Sequence, residues 1–118
     1  MLKRIEAIIW PAKAGDVIEA LDREGHSQGM ALSEVRVYHG KEIINYYRGA
    51  EHRINFVTMN HLLLFVPDDL VNKIRGVIEV SAGQGIISVS DVSSLTDVRT
   101  RADIHPLESA SNAPSTQR

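Results

Sequence analysis

The chain has 118 residues, no cysteine, a formal net charge of −2 and 43% hydrophobic residues. This length fits one domain with a modest core, and the lack of cysteine excludes disulfides and thiol chemistry. The charge balance provides no electrostatic footprint for nucleic-acid binding. The apolar run near the N-terminus is short and is interrupted by Glu6 and Pro11, which predicts neither a signal peptide nor a membrane span. We therefore expect a cytoplasmic protein that is not embedded in a membrane.

The first part of the chain alternates strand, helix and strand patterns. Residues 5–10 are apolar on much of both faces, which predicts a strand that Pro11 ends. A helix is predicted from Ala14, because apolar residues then recur on one helical face and Gly25 is a typical C-terminal stop. Residues 32–37 alternate between apolar and polar side chains, which predicts a second strand.

The second part of the chain repeats this pattern. Residues 54–66 predict a long third strand whose last part is buried. Pro67 and the aspartates after it favour the start of a second helix, with an apolar stripe over residues 70–78. A flexible turn at 81–85 then precedes a fourth strand at 86–92.

The predicted order is βαββαβ, the ferredoxin-like α+β arrangement with an antiparallel sheet and both helices on one face. The first and third strands are apolar on both sides, so the face without helices needs cover, and self-association is its simplest source. A short extended segment at 98–101 is a candidate fifth strand. We assign residues 1–104 to the domain and residues 105–118, rich in Pro, Ser and Asn, to a flexible tail.

The connection between the second and third strands covers about residues 38–53. Hairpin connections usually have about two to five residues, and a much longer one in a small chain usually has a function. This connection contains Tyr38, Tyr46 and Tyr47, which a core would not need there. We therefore expect functional residues in this loop.

Several short segments match a known family in register over about residues 1–101. They are KRIEAII at 3–9 with Pro11 and Lys13, EAL at 19–21, GM at 29–30, SEV at 33–35, YRGAE at 47–51 and VPDD at 66–69. With these segments the chain resembles the PII signal-transduction proteins, which are homotrimeric ferredoxin-like sensors of adenine nucleotides. The resemblance implies that the long connection is a T-loop that engages a transporter or a metabolic enzyme. It also implies that nucleotides bind in clefts between subunits, at the base of that loop.

Four departures from the family pattern change what the resemblance implies. His52 stands where classical members carry the tyrosine that is covalently modified, so ligand occupancy replaces uridylylation as the expected control. The turn at 82–86 is short and lacks the phosphate-binding lysine, Ala31 replaces a threonine that contacts the base, and no glutamine for magnesium and 2-oxoglutarate follows Gly40. Fewer phosphate contacts favour ADP or AMP over ATP. The chain is in this respect closer to the PII-like branch linked to bicarbonate uptake and carboxysomes, which makes bicarbonate a further candidate ligand.

The resemblance assigns residues to two tasks. Nucleotide binding falls to Val37, Tyr38, His39, Gly40, Lys41, Phe65, Gly83, Gly85, Arg99 and Arg101. Within this set the two arginines hold phosphate, and their i, i+2 spacing on an extended segment points both to one side. Partner binding falls to Tyr46, Tyr47, Arg48, Glu51 and His52. From the residues alone, solvated arginines, a plain helix cap and an exposed charged loop are the alternatives.

Catalysis and metal binding are not indicated. There is no nucleophile–base pair, and the five histidines are scattered rather than spaced as metal ligands. We expect no enzyme activity, no metal site and no required cofactor. Two other functions stay open: a nucleotide-independent trimeric adaptor or ion-binding protein, and a regulator of ammonium transport. Association with a membrane would come through the partner.

Overall fold

The computed structural model describes the backbone of residues 2–47 and 50–104, and side chains within these ranges except at residues 39–55. Four strands and two helices follow one another in the order βαββαβ. They are β1 (Leu2–Ile9), α1 (Pro11–Arg23), β2 (Ala31–Tyr47), β3 (Ala50–Pro67), α2 (Val71–Ala82) and β4 (Gly85–Val92), with a 3-10 turn at Asp68–Leu70 before α2.

The strands form one antiparallel sheet in the order β2-β3-β1-β4. This order and the segregation of the helices confirm the predicted ferredoxin-like fold. Ile9 at the end of β1 pairs with Asn60 on one side and with Gly85 on the other. At the opposite end, Leu2 pairs with Pro67 and with Val92. The sheet therefore has two well-defined ends, and β4 runs from one to the other.

The core lies between the sheet and the two helices. Ile5, Leu62, Ile74 and Ile78 are completely buried, together with Val17 and Leu21 from α1. Each such side chain contributes about 1.5–3 kcal/mol by leaving water. On β1 and β3 alternate residues are buried, as expected when only one sheet face is covered by helices.

The ends of α1 show how local sequence sets the helix. The helix begins at Pro11, earlier than the predicted Ala14, because proline at the first position has a suitable φ and needs no N–H partner. At the other end, Gly25 adopts φ 80° and donates to Asp22 O, while His26 donates to Leu21 O. These two bonds form a Schellman motif, so the predicted glycine stop is confirmed.

The face of the sheet away from the helices is only partly covered. Ile8, Leu63 and Phe65 lie on it half-buried, and Ile86 at its edge is 66% exposed. A polar cluster interrupts this apolar surface. The Nε2 of His61 lies 3.0 Å from Glu6 Oε2, and the Nε of Arg4 lies 3.5 Å from Glu6 Oε1. This open face is the one for which the sequence predicts self-association.

Two segments differ from the sequence-based expectation. β2 continues to Tyr47 and β3 starts at Ala50, so most of the connection at 38–53 is a two-stranded ribbon with a register shift between Tyr38 and Ile43. The predicted fifth strand at 98–101 is wrong, since this segment is a turn inside a small hairpin closed by a Thr96–Asp103 bridge. Within the described ranges, neither helix is long and apolar enough to cross a membrane.

Candidate functional site

The turn between α2 and β4 is built around two glycines. Gly83 ends α2 with φ 73°, a left-handed conformation that glycine adopts without strain. Gly85 has φ 136°, and a Cβ there would overlap the carbonyl oxygen of Ile8 on the neighbouring strand. The backbone therefore favours glycine at position 83 and requires it at position 85, whatever else the turn does.

A cavity of about 150 Å³ lies beside this glycine turn. Its walls are mainly apolar, from Ile9, Ile78 and Ile87, and the turn closes one side. Glu79 is the charged residue among the described residues that line it. Ligand sites for drug-sized molecules usually have about 300–1,000 Å³. The cavity is smaller than this range, and the described residues that line it include no cation for a phosphate group.

The base of the ribbon presents a cation–aromatic stack. Tyr38 is 58% exposed and its ring centroid lies 5.2 Å from that of Phe56, its partner across the strands. The guanidinium of Arg36 lies 5.0 Å from the Phe56 ring centroid, within cation–π distance. Val37 is half-buried beside them. His39, Gly40 and Lys41 fall in the backbone of β2 at the register shift, and their side chains lie outside the described residues.

A second turn follows the other end of β4. Arg101 donates its backbone N–H to Asp97 O at 2.6 Å, and Ile104 donates to Leu95 O at 2.7 Å. Arg99 and Arg101 are exposed on this turn. Arg101 has φ 62°, the only positive φ of a non-glycine residue in the described part of the chain. The turn thus presents two cations, but from a tight bend rather than from the extended segment that the sequence predicts.

The strand β4 separates the two turns. Its eight residues cover roughly 25 Å, at about 3.3 Å per residue. The glycine turn lies at the end of the sheet from which the ribbon projects, because Gly85 and Asn60 both pair with Ile9. Phe65 pairs with Arg4 and lies towards the other end, where β4 leads into the arginine turn. One chain therefore places the glycines beside the ribbon base, and places Phe65 and the arginines towards the opposite end.

The arginine end of the sheet is also tied by an ion pair. Lys3 on β1 contacts Asp91, its cross-strand partner on β4. The hydrogen bond that Lys3 donates to the Asp91 carboxylate raises the pKa of Lys3 above its ordinary value, against a smaller opposing effect of burial. This pair links β1 to the edge strand β4 close to the point where the arginine turn begins.

Comparison with known proteins gives the family context of this geometry. The sequence model of the family described as Nitrogen regulatory protein P-II matches residues 2–102. The chain belongs to the P-II family. It is 37% identical over 105 residues to Nitrogen regulatory protein P-II 1 of Escherichia coli strain K12, covering 84% of this chain and 93% of that protein. It is 39% identical to Nitrogen regulatory protein P-II of Haemophilus influenzae and 36% identical to that of Klebsiella oxytoca, with the same coverage.

In this P-II family member the ribbon occupies the place of the T-loop. Tyr46 and Tyr47 on β2 pair through the backbone with Glu51 and Ala50 on β3, and His52 pairs with Asn45. Their side chains, and Arg48 altogether, lie outside the described residues. Four of the five predicted partner-binding residues, Tyr46, Tyr47, Glu51 and His52, thus lie in the backbone at the far end of the described ribbon.

Sequence reasoning missed three residues around the site. The stack of Arg36 on Phe56 depends on the hairpin register, which the sequence does not specify across a long connection. Asp97 accepts backbone hydrogen bonds inside the arginine turn. A signal for it was present, because an aspartate side chain often accepts a hydrogen bond from the backbone two residues later in an Asx turn. In the described part of the chain, no group of three or more His, Cys, Asp or Glu side chains could hold a metal ion.

Proposed function

We propose that this P-II family protein is a homotrimeric regulator that binds an adenine nucleotide in clefts between subunits, with ADP or AMP favoured over ATP. Occupancy of the cleft would set the conformation of the ribbon, which engages a transporter or a metabolic enzyme. The observation that carries the proposal is the separation of the two turns by β4. A phosphate held by the arginine turn and by the glycine turn needs these turns from two different subunits.

The open sheet face supports the oligomer. Its half-buried Ile8, Leu63 and Phe65 form an apolar surface that a monomer would leave in contact with water. Closed symmetric association covers such a surface and brings the end of one sheet near the end of another. A Leu63→Asp variant should shift the protein from trimer towards monomer in light scattering. Val80→Asp makes the same apolar-to-acid change at a residue of α2 that is 86% exposed, and as the control it should leave the trimer intact.

The chemistry of the two turns supports the nucleotide preference. The glycine turn can offer backbone N–H groups, and the described residues lining its cavity offer no cation. The arginine turn offers two guanidinium groups, which can pair with one or two phosphates, so a third phosphate would gain no further partner from these two turns. Bicarbonate, a small anion, is a second candidate ligand of the same donors.

Calorimetry with ATP, ADP, AMP and bicarbonate tests the proposal. We expect heat with ADP and AMP, weaker binding of ATP, and loss of nucleotide binding in the variant with both Arg99→Ala and Arg101→Ala. The matched control is Arg23→Ala with Arg75→Ala, which removes two cations from the exposed surfaces of α1 and α2. Absence of heat with every nucleotide at millimolar concentration would overturn the proposal.

Two other functions follow from specific observations. The relatives are named nitrogen regulatory proteins, which favours a nitrogen regulator with altered ligand chemistry, and ammonium transport is the target that we propose for it. The lack of a cation at the glycine turn favours a nucleotide-independent adaptor or ion-binding protein. Pull-down of partners with and without ADP separates these candidates. The adaptor function requires partner binding that neither ADP nor the double arginine variant alters.

A further inference from the structure

The arginine turn is held by one carboxylate. Asp97 Oδ1 accepts the backbone N–H of Arg99 at 2.8 Å and that of Thr100 at 3.2 Å. The same residue donates its own N–H to Ala102 O and accepts the N–H of Arg101 at its carbonyl. Asp97 therefore makes four of the hydrogen bonds that define the bend. Hydrogen bonds to an ionised carboxylate are stronger than neutral ones, so its side chain is a major determinant of the turn.

The backbone at Arg101 adds a second observation. Its φ of 62° lies in the left-handed region, where side chains other than Gly, Asn and Asp are strained. Strained residues of this kind persist when the surrounding structure forces them, and they concentrate at functional sites. A glycine would relieve the strain but remove the guanidinium. An arginine held in this conformation indicates that the turn serves to present its side chain.

We infer that Asp97 is a positioning residue that presets Arg99 and Arg101 for a phosphate group, an inference that rests on the proposed nucleotide site. Its carboxylate bonds to the backbone of the turn, and the two guanidinium groups project from the backbone that it holds. Fixing this bend before binding lowers the entropy lost when both arginines engage one phosphate. The expected ligand is the terminal phosphate of a nucleoside mono- or diphosphate.

Whether removal of Asp97 strengthens or weakens phosphate binding distinguishes a positioning role from a purely electrostatic effect of its charge. Asp97 carries a negative charge beside two phosphate-binding cations, so its removal by Coulomb's law alone should strengthen the binding of an anion. Loss of the turn should weaken binding instead. Asp103→Ala measures the effect of removing one negative charge from this hairpin. Asp103 lies in the same hairpin as Asp97 and pairs with Thr96 through the backbone.

The experiment compares AMP with adenosine by calorimetry in wild type, Asp97→Ala, Asp97→Asn and Asp103→Ala. We expect Asp97→Ala to weaken AMP binding about tenfold and to leave adenosine binding unchanged. Asp97→Asn keeps the acceptor oxygen and should restore most of the AMP affinity. Asp103→Ala should bind AMP at least as well as wild type. Thermal unfolding of each variant verifies that the domain is folded.

The possible outcomes distinguish failure of the positioning role of Asp97 from failure of the nucleotide site itself. If wild type binds AMP and the double arginine variant does not, yet Asp97→Ala binds AMP as well as wild type or better, the positioning role is overturned while the nucleotide site stands. An equal loss of AMP and adenosine binding in Asp97→Ala also overturns it, because that would indicate a general structural role. If wild type binds neither ligand, the proposed site and the positioning role both fail.

Discussion

The two turns at the ends of β4, which we propose as phosphate-binding elements, reach their shapes by opposite means. The glycine turn depends on the absence of side chains, since Gly83 has a left-handed φ and Gly85 lies against the carbonyl of Ile8. The arginine turn depends on side chains, with Asp97 bonding the backbone and two arginines exposed. One turn offers backbone donors without charge, and the other offers charge on a braced backbone.

In the proposed site, phosphate binding would be divided between a turn that offers backbone N–H groups and a turn that offers cations. Backbone N–H groups and cations usually act together at one phosphate-binding loop. Here the eight-residue strand β4, about 25 Å long, separates the glycines from the arginines, so the proposed site would need turns from two subunits. Substitutions at the two ends should therefore have different signatures. Arginine substitutions should change affinity without changing stability, and glycine substitutions should change stability first.

The largest effect is expected from the arginine turn. Removing both guanidinium groups, with Arg99→Ala and Arg101→Ala, should weaken ADP binding by about a hundredfold or more, because each hydrogen bond to a charged group contributes about 1.5–3 kcal/mol. The free energy of unfolding should change by less than about 0.5 kcal/mol, as for exposed surface residues. Parallel calorimetry and urea unfolding measure both. A large loss of stability would show that the arginines belong to the fold.

The next effect is expected at the start of β4. Gly85→Ala should lower the free energy of unfolding by about 2 kcal/mol, because the new Cβ overlaps Ile8 O and the strand must move. Gly15→Ala is the matched control. Gly15 lies exposed in α1 with open space around it, so alanine there should stabilise the protein by about 0.5–1 kcal/mol. Equal effects at the two glycines would contradict the close approach of β4 to β1.

A smaller effect is expected at the end of α2. Gly83→Ala meets no atom within 4 Å, so its cost is confined to the left-handed φ of 73°. We expect a loss of about 1 kcal/mol in the free energy of unfolding. Gly83→Asn should lose less, since asparagine tolerates this conformation. Alanine at this position matching or exceeding the loss at Gly85 would reverse the assigned roles of the two glycines.

The smallest effect is expected at the Lys3–Asp91 pair beside the arginine turn. The pKa of Lys3 is raised in the folded protein, so the pair stabilises below the ordinary lysine pKa of 10.5. That stabilisation is lost as pH rises through the folded pKa. The free energy of unfolding of Lys3→Met should therefore be lower than that of wild type at neutral pH. The two values should converge as the pH rises above 10.5. Lys13→Met, on the exposed surface of α1, is the control, and a similar pH dependence there would exclude a specific role for the pair.

Much of the fold was predictable because it follows from periodicity. Alternation around Ile5 and the helical stripe around Ile74 depend only on which side chains face the core. Features set by register or by side-chain–backbone bonds were not predictable in the same way. The composition of residues 38–53 is compatible both with a loop and with a paired ribbon. The sequence therefore does not show that β2 and β3 continue to pair through this segment. The segment at 98–101 has extended propensity, yet the hydrogen bonds that the backbone of Arg99 and Thr100 donates to the Asp97 carboxylate bend it into a turn.

In the candidate site, too, the local features were predictable from the sequence and the long-range geometry was not. Gly83 and Gly85 were identified as a backbone turn, and the structure shows a conformation that favours glycine at position 83 and a close approach that requires it at position 85. Arg99 and Arg101 were identified by resemblance, but their geometry was expected from an extended strand. Their distance from the glycine turn was not visible, because it depends on the direction of β4 across the whole sheet.

The ribbon has a thermodynamic consequence. β1 ends at Ile9, opposite Asn60, so the backbone pairs farther out, such as Val37–Val57 and Ile43–Ile54, are held between two strands only. A two-stranded hairpin without further support is marginally stable in water. We expect its amides to exchange with solvent through local opening, while those of Ile5 and Leu64 exchange only through global unfolding. The ribbon can therefore be remodelled by a ligand or a partner at little cost to the core, and its substitutions should leave the melting temperature of the domain nearly unchanged.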